Sequence, residues 1–246
     1  MGVIMIFKKL KSVIKTPTIE FLCHKEDYGV LPEPFPARKL MPDWFKVLPP
    51  KINKENKFKN STIKRCAPFL DAMNVGWILP LAADVEFTTN DDSSFVNYKW
   101  QFYRPMIENH GKSQISTEKE PNPNDPKPPM KFLNYWAIKV PKGYSVLFLP
   151  PLNRPDPRFT CISGLVDCDG YFEFINFPFF FNEPNFVGIL PAGTPLVQCI
   201  PFKRDALFRD FEVRAFTDKE DEELEFTRRQ RSIHESHYRD YVWSRK

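Results

Sequence analysis

The chain has 246 residues and a formal net charge of +4 at pH 7, and it contains 24 Phe and 25 Pro but only 9 Gly. This length supports a hydrophobic core that needs no disulfide or metal ion to hold it together, and the charge is too small to indicate a nucleic-acid-binding domain. Pro is about twice as frequent as in average proteins. Abundant Pro and Phe together exclude a helical bundle and a disordered chain, and they favour a β-rich body with long ordered loops.

The first part of the chain combines a predicted helix with a Pro-rich segment. Residues 1–16 have apolar side chains spaced for one face of a short helix, and a first strand is predicted at 18–22. Residues 30–50 contain six Pro and leave room for only one helical turn, at 43–48. Because Pro removes backbone donors and keeps its neighbours extended, we expect this segment to wrap a surface as an ordered loop.

The middle of the chain predicts a hairpin and an exposed insertion. Residues 76–88 form an apolar run that Pro80 should interrupt, and residues 95–103 alternate apolar and polar side chains with a period of two. Residues 51–64 are polar and basic, and the polar stretch 112–131 has five Pro near its end, so both are predicted loops. A further strand is predicted at 132–140.

Residues 140–204 consist of short apolar runs separated by turns that contain Gly, Pro or Asp. This spacing is typical of a small antiparallel sandwich or barrel. The alternation of Phe211, Val213 and Ala215 with charged residues predicts a last strand at 206–216. The predicted fold is therefore mainly β, a jelly-roll or β-barrel-like sandwich with Pro-rich wrapping loops and a C-terminal α-helix.

The last thirty residues predict that helix. Thr217 and Glu220 have the spacing of a capping box, and the acids at 218–225 precede a group of Arg residues, an order that suits the helix dipole. A helix so exposed usually has a partner or lies across its own domain. His234 and His237 would share a face of it, but two ligands do not close a metal site, so a solvated face is the preferred interpretation. The predicted organisation is an N-terminal extension with a Pro-rich wrapping segment at 1–64, a β-sandwich or barrel core at 65–216 with an exposed Pro-rich insertion at 112–131, and the charged helix at 217–246.

The five Cys are scattered and include no CxxC pair, which predicts buried thiols and a reducing compartment. The basic residues near the N-terminus follow its apolar run, whereas a secretory signal peptide has them before it. No apolar run approaches membrane-spanning length. We therefore expect a virion or cytoplasmic location, no secretion and no membrane partner.

Two motifs in the central stretch resemble a known superfamily. Residues 164–171, GLVDCDGY, and residues 192–198, AGTPLVQ, are similar to motifs of the dUTPase and dCTP-deaminase superfamily. The resemblance implies a distorted β-barrel that typically trimerises. It also implies, if activity were retained, that Asp167 orients the attacking water near the sugar and that Tyr171 stacks on the deoxyribose. The phosphate-binding Arg-Ser-Gly element of that superfamily is absent, because residues 150–157 read PPLNRPDP.

A larger part of the chain resembles an uncharacterised protein family of tailed phages and bacteria. The resemblance rests on the phrases PARKLMPDWF, IKRCAPFLDAM and GTPLVQCIPF. It implies a phage or bacterial setting and no established activity.

The loop at 153–158 is the candidate binding element outside these motifs. Arg154, Asp156 and Arg158 are held there by Pro residues between two predicted strands, and loops at the ends of a sandwich commonly carry function. We predict that this loop faces Asp167, Asp169 and Tyr171, with Gln198 as a further ligand-binding residue. The alternative is a self-contained Arg–Asp surface turn.

Two classes of function remain open at this level. The first is a non-enzymatic structural or interaction protein, a phage virion or assembly component on a dUTPase-like β-barrel, with other subunits of a homo-oligomer or of the virion as partners. The second is an enzyme on the central sheet, either nucleotide-hydrolase-like or with a spatially assembled metal site. The first is preferred because the residues expected of the second are incomplete, and no cofactor, no metal site and no nucleic-acid partner is predicted.

Overall fold

The computed structural model describes residues 16–52, 61–111, 127–234 and 236–244. Most of the predicted N-terminal helix, at 1–15, lies outside these residues. So do 53–60 of the basic loop and 112–126 of the Pro-rich insertion. The strands are, in chain order, β1 (Glu20–Leu22), β2 (Phe35–Pro36), β3 (Trp77–Pro80), β4 (Val85–Thr89), β5 (Val96–Lys99), β6 (Ile107–Asn109), β7 (Met130–Phe132), β8 (Ala137–Lys139), β9 (Tyr144–Leu149), β10 (Phe159–Cys161), β11 (Gly164–Val166), β12 (Phe177–Phe181), β13 (Val187–Leu190) and β14 (Pro195–Lys203). The α-helices are α1 (Asp43–Val47), α2 (Ala67–Asn74) and α3 (Asp218–Ile233), and a short π-helix follows at Tyr238–Val242.

All strand pairs are antiparallel, and they form several sheets. The largest sheet has the order β11-β9-β14-β3-β2, the second β10-β12-β7-β6 and the third β13-β4-β5, while β1 pairs with β8. The predicted hairpin is confirmed as β4–β5, with Phe87 opposite Tyr98. The predicted interruption at Pro80 is also confirmed, because β3 ends there and β4 joins a different sheet.

Aromatic side chains from three sheets pack into one core. On β12, Phe177, Phe179 and Phe181 are at most 2% exposed, whereas the residues between them face outward in part. The ring of Phe177 lies 5.7 Å from that of Phe148 in the largest sheet, and the ring of Phe181 lies 4.6 Å from that of Phe87 in the third sheet. The period-two pattern of the strands therefore faces a shared interior. The chain is mainly β, with antiparallel sheets in a sandwich and a C-terminal helix, as predicted.

A close backbone contact joins α2 to the largest sheet. Gly76 lies between α2 and β3 with φ of +77°, a conformation that side-chain-bearing residues rarely adopt. A Cβ atom at this position would lie 2.1 Å from the carbonyl oxygen of Cys199. Only Gly allows the chain to turn this tightly, so α2 ends directly against β14.

The predicted strand at 132–140 is confirmed only in its second half, because β8 lies within it whereas residues 133–136 form no strand and separate β8 from β7. Asn134 causes the break. Its side-chain oxygen accepts the N–H of Trp136 at 3.1 Å, and its amide donates to the carbonyl of Trp136 at 2.7 Å. A side chain that bonds the backbone two residues on favours a turn over a ladder.

The predicted last strand at 206–216 is also wrong, because residues 207–217 belong to no strand or helix and β14 is the last strand of the described chain. Alternation alone does not make a strand. The ladder needs a neighbouring strand, and none pairs with this segment within the described residues.

The C-terminal helix starts as predicted but ends early. Thr217 and Glu220 form both hydrogen bonds of a capping box, and α3 ends at Ile233. His234 is the residue after the helix, so the prediction that His234 and His237 share a helical face is wrong. In the described residues, no helix is long and apolar enough to span a bilayer.

Candidate functional site

The predicted site residues lie at two opposite ends of the β9–β14 pair. Gln198 is opposite Leu149 at one end, and Lys203 is opposite Tyr144 at the other. The rise over five residue steps of strand separates these pairs by about 17 Å. Arg154 and Gln198 lie at the first end, whereas Asp167 and Asp169 lie at the second, so the structure does not bring the predicted site residues together.

At the first end, Gln198 is fully buried against the C-terminus of α2. Its side-chain nitrogen donates to the carbonyls of Ala72, at 3.0 Å, and of Val75, at 2.6 Å. Its side-chain oxygen accepts the N–H of Leu152 at 3.0 Å. The last carbonyls of a helix have no partner within the helix, so this side chain completes the hydrogen bonding of α2 from the neighbouring strand.

Arg154 contributes to the same arrangement. Its Nη2 donates to the carbonyl of Met73 in α2 and, at 2.9 Å, to the carbonyl of Ala37 in the wrapping segment. A cation at a helix C-terminus interacts favourably with the helix dipole. Its Nε and Nη1 are buried and have no hydrogen-bond partner among the described residues, and burial lowers the pKa of Arg154. Arg154 therefore holds three segments together at the cost of an uncompensated charge.

Asp156 and Arg158, in the same loop as Arg154, form an ion pair with each other. The guanidinium of Arg158 donates from Nε, at 2.9 Å, and from Nη2, at 2.6 Å, to the two carboxylate oxygens of Asp156, and the Arg158 N–H donates to the same carboxylate. The hydrogen bond to Asp156 raises the pKa of Arg158. Apart from a 3.4 Å bond from Arg158 Nη1 to the carbonyl of Ile189 in β13, this is the geometry of the self-contained turn considered above.

At the second end, Asp169 is bound by Arg204 in a bidentate pair. Arg204 donates to the two oxygens of this carboxylate at 2.8 and 2.6 Å, and the N–H of Gly143 adds a bond of 2.7 Å. The Arg204 hydrogen bonds, followed by the bond from Gly143, hold the pKa of Asp169 well below its usual range. Since Gly143 precedes β9 and Arg204 follows β14, the pair fastens the turn after β11 to both strands. We call Asp169, Arg204 and Gly143 the latch.

Asp167 lies at the edge of the latch. Its side chain is 67% exposed, 3.3 Å from Arg204, and it accepts a hydrogen bond from the hydroxyl of Ser145. Tyr171 is 51% exposed and is connected to Asp167 through its backbone N–H, which donates to the Asp167 carbonyl. The phenol ring itself faces solvent, so the pair does not enclose a ligand cavity.

The chemistry available at the latch is limited. Both oxygens of Asp169 are bonded, and a carboxyl group with a lowered pKa is a poor general acid or base near neutral pH. Burial, and then the charges of Asp167 and Asp169, raise the pKa of Cys168 to about 11, so this thiol is a poor nucleophile. Within the described residues, no three His, Cys, Asp or Glu side chains are placed to hold a metal ion.

Sequence reasoning missed Arg204 and Ser145, which give Asp167 and Asp169 their partners. Arg204 follows directly after the last strand, and a basic residue at a strand end is too common to be a signal. Its role depends on the pairing of β9 with β14, which the sequence pattern leaves open.

Among the described residues, the segment after the latch carries the most exposed apolar side chains. We call residues 207–216 the arm. Phe208 is 99% exposed, Phe211 87%, Val213 86% and Phe216 65%. The latch holds the chain before the arm, and beyond α3 the indole N–H of Trp243 donates to a carboxylate oxygen of Asp71 in α2 at 2.7 Å. The arm and α3 therefore project between two points that are fixed to the body.

The junction between the arm and α3 is itself held by a salt bridge. Arg214 of the arm donates to both carboxylate oxygens of Glu220, at 2.7 and 2.6 Å. The Arg214 hydrogen bonds, followed by those from Thr217, lower the pKa of Glu220 to about 2. The direction in which the arm enters the helix is thus defined by charge-assisted bonds.

No protein-family model matches the chain, and no curated protein matches it. The resemblance to a family of tailed phages and bacteria therefore has no support from these comparisons. Among solved structures, the chain is similar to a mutant of the dUTPase from phage phi11 of S. aureus, with 8% identity and a TM-score of 0.35 over 82% of this chain and 99% of that chain. A similarity at this TM-score is too distant to assign a fold family or an activity.

Proposed function

We propose that the protein is a non-enzymatic structural or interaction protein that associates with other protein subunits through the arm. A phage virion or an assembly complex is the setting that the sequence resemblance favours. The observation that carries the proposal is the exposure of Phe208, Phe211, Val213 and Phe216, in a segment fixed to the body on both sides.

The size of the exposed surface supports association. At 150–250 Å² for a whole side chain, the three Phe of the arm expose roughly 400–600 Å². The largest apolar patch of a typical monomer is of the order of 300–600 Å², and such patches commonly mark interaction sites. Burying this area contributes roughly 10–15 kcal/mol at 25 cal/mol per Å², a sum comparable with the cost of association, about 4–15 kcal/mol. The arm alone thus supports weak binding, and a stable complex needs further contacts beside it.

The alternative, an enzyme on the central sheet, has less support. A nucleotide hydrolase would need Arg154 near the carboxylates, and these residues lie at opposite ends of β9–β14. A thermal-shift screen with nucleotides and divalent cations tests this alternative, because a ligand that binds the folded state raises the melting temperature. Stabilisation by a nucleotide that disappears in Asp167→Asn would favour the enzyme.

The proposal is tested by arm-dependent capture. The tagged wild-type chain is recovered from cells that produce it naturally, beside a variant with Phe208, Phe211, Val213 and Phe216 changed to Ser, and bound proteins are identified by mass spectrometry. Untagged copies of the same chain count as a partner. A control variant carries Ser at four exposed apolar positions outside the arm, namely Tyr28, Val47, Phe172 and Val187.

We expect the wild type and the control to retain a defined partner that the arm variant loses at least tenfold. Identical sets of bound proteins for all three chains would overturn the proposal. Circular dichroism of each variant checks that the fold is intact.

A further inference from the structure

α3 is a sixteen-residue helix without a buried side chain. Isolated helices of this length are marginal in water, and most helices in proteins are stabilised by packing. Phe226 and Ile233 are each 63% exposed on its surface. The capping box and the ion pair of Glu225 with Arg228 stabilise the helix locally, but neither covers these apolar side chains.

The charges of α3 are separated into two halves. The half at 218–225 has six acids and one Lys, whereas the half at 226–233 has three Arg and no acid. Each half is about 12 Å long. A second α3 in antiparallel orientation would place acidic against basic halves at both ends, and a parallel one would place like charges together. The helix is therefore complementary to a copy of itself.

The exposed face of α3 has the spacing that such a pair needs. Glu222, Phe226, Arg229 and Ile233 follow each other at intervals of four, three and four, so they share one face, and all are exposed. Glu222 and Arg229 form no ion pair with another described residue, although Glu225 and Arg228 do. The charges on this face are thus available to a partner.

We infer that α3 pairs antiparallel with α3 of a second copy of this chain, about a two-fold axis near Phe226. The inference rests on the proposed function and names the partner. With the two Phe226 rings at the axis, Glu222 of each copy lies beside Arg229 of the other, and Glu223, on the opposite flank, lies beside Gln230 of the other. Both relations occur twice, as an isologous contact requires.

The same arrangement extends to the arm. Phe216 directly precedes Thr217, the N-cap of α3, and Ile233 is the last residue of the helix. In an antiparallel pair the start of one helix lies beside the end of the other, so Phe216 of each copy approaches Ile233 of the other. The contact therefore supplies the additional area that the arm alone lacks.

Charge reversal tests the inference on the purified full chain. One variant carries Glu222→Lys and Glu223→Lys, and another carries Arg229→Glu and Arg231→Glu, with Glu33→Lys and Asp91→Lys as the control at exposed acids elsewhere. By light scattering we expect a wild-type and control dimer, and at least tenfold weaker dimerisation of either α3 variant, because like charges then face each other. Mixing the two α3 variants should restore a dimer, since the charge-reversed half of one helix then faces the charge-reversed half of the other, and the unchanged halves face each other.

Disulfide trapping tests the orientation. In a Cys66→Ser background, which removes an exposed native thiol, a mixture of Lys219→Cys and Ile233→Cys chains should form an intermolecular disulfide that neither chain forms alone. A bond formed by Ile233→Cys alone would indicate a parallel pair and contradict the inference.

The two proposals fail in different ways. A purified wild-type chain that stays monomeric, or α3 variants that dimerise like the wild type, would overturn the α3 pairing. The proposed function would still stand if capture by the arm identified a different protein. Loss of dimerisation by simple unfolding is excluded when the mixture of variants recovers it.

Discussion

Two parts of the molecule carry aromatic residues in similar patterns with opposite results. On β12, Phe177, Phe179 and Phe181 are at most 2% exposed, because β10 and β7 hold β12 in a sheet whose inner face packs against Phe148 and Phe87 of two other sheets. In the arm, Phe211 and Val213 alternate with charged residues in the same way and are 87% and 86% exposed. The period of a pattern defines which side chains share a face, whereas neighbouring strands and a facing sheet are required to bury that face. The arm has the face and lacks the neighbour, which is why we assign it to a partner.

The largest expected effect is the difference in unfolding free energy between a Phe substitution on β12 and one in the arm. Phe179→Ala removes a fully buried ring that stacks on Phe132 with centroids 3.7 Å apart, and we expect a loss of about 3–5 kcal/mol. Phe211→Ala should change the free energy of unfolding by less than about 0.5 kcal/mol. Urea denaturation at protein concentrations below those of self-association measures both values. Equal losses would mean that the arm packs on its own body.

The next effect makes the same comparison for an amide side chain. Gln198→Leu leaves the carbonyls of Ala72 and Val75 and the N–H of Leu152 without partners, and we expect a loss of about 2–4 kcal/mol. Gln101→Leu at an exposed position is the matched control and should stay within about 0.5 kcal/mol.

The free energy of unfolding of Arg154→Met tests the same helix end. It removes the donor to Met73 but also an uncompensated buried charge, so it should cost less than Gln198→Leu, about 1–2 kcal/mol. An Arg154 variant that is destabilised more than the Gln198 variant would contradict this account of the α2 terminus.

The smallest effect concerns the latch, from which the arm leaves the body, and its dependence on pH. The pKa of Asp169 is lowered in the folded state, so its pairing stabilises the fold above the unfolded pKa near 3.9. This contribution is lost as the pH falls through the folded value. Wild-type stability should therefore fall more steeply than that of Asp169→Asn below about pH 4, while their difference stays constant from about pH 5 to 8.

Arg204→Gln should abolish the same steep acid limb, and the double variant should lose less than the sum of the two single variants, because both singles remove the Asp169–Arg204 pair while Arg204→Gln also removes the bond to the Tyr144 carbonyl. Thermal denaturation from pH 7 to pH 2 gives the comparison. Parallel curves for the wild type and Asp169→Asn would show that the latch does not stabilise the fold.

Local signals predicted local structure correctly. The alternation at 95–103 and the turn before it indicated the β4–β5 hairpin, because its partners are close in sequence. Thr217 and Glu220 indicated the start of α3, since a capping box requires only four residues. The antiparallel β character of 140–204 followed from runs and turns that each span a few residues.

Relations between distant residues could not be predicted in this way. Arg154 and Asp167 are thirteen positions apart and were expected to meet, yet β9 and β14 hold them at opposite ends. Gln198 was assigned to ligand binding because of a motif, and its partners in α2 are more than 120 positions away. Nothing in the local pattern at 198 shows which helix ends above it.

The sequence by itself determined the mainly β class, the hairpin, the capped start of α3 and the charge order of that helix. Each of these depends on residues that are close together in the sequence. Only the tertiary structure decided that Arg154 and Gln198 complete a helix end, that Arg204 holds Asp169, and that the alternating residues of the arm stay in solvent. Burial and pairing depend on which strands become neighbours, and that choice is made by the whole core and not by any one segment.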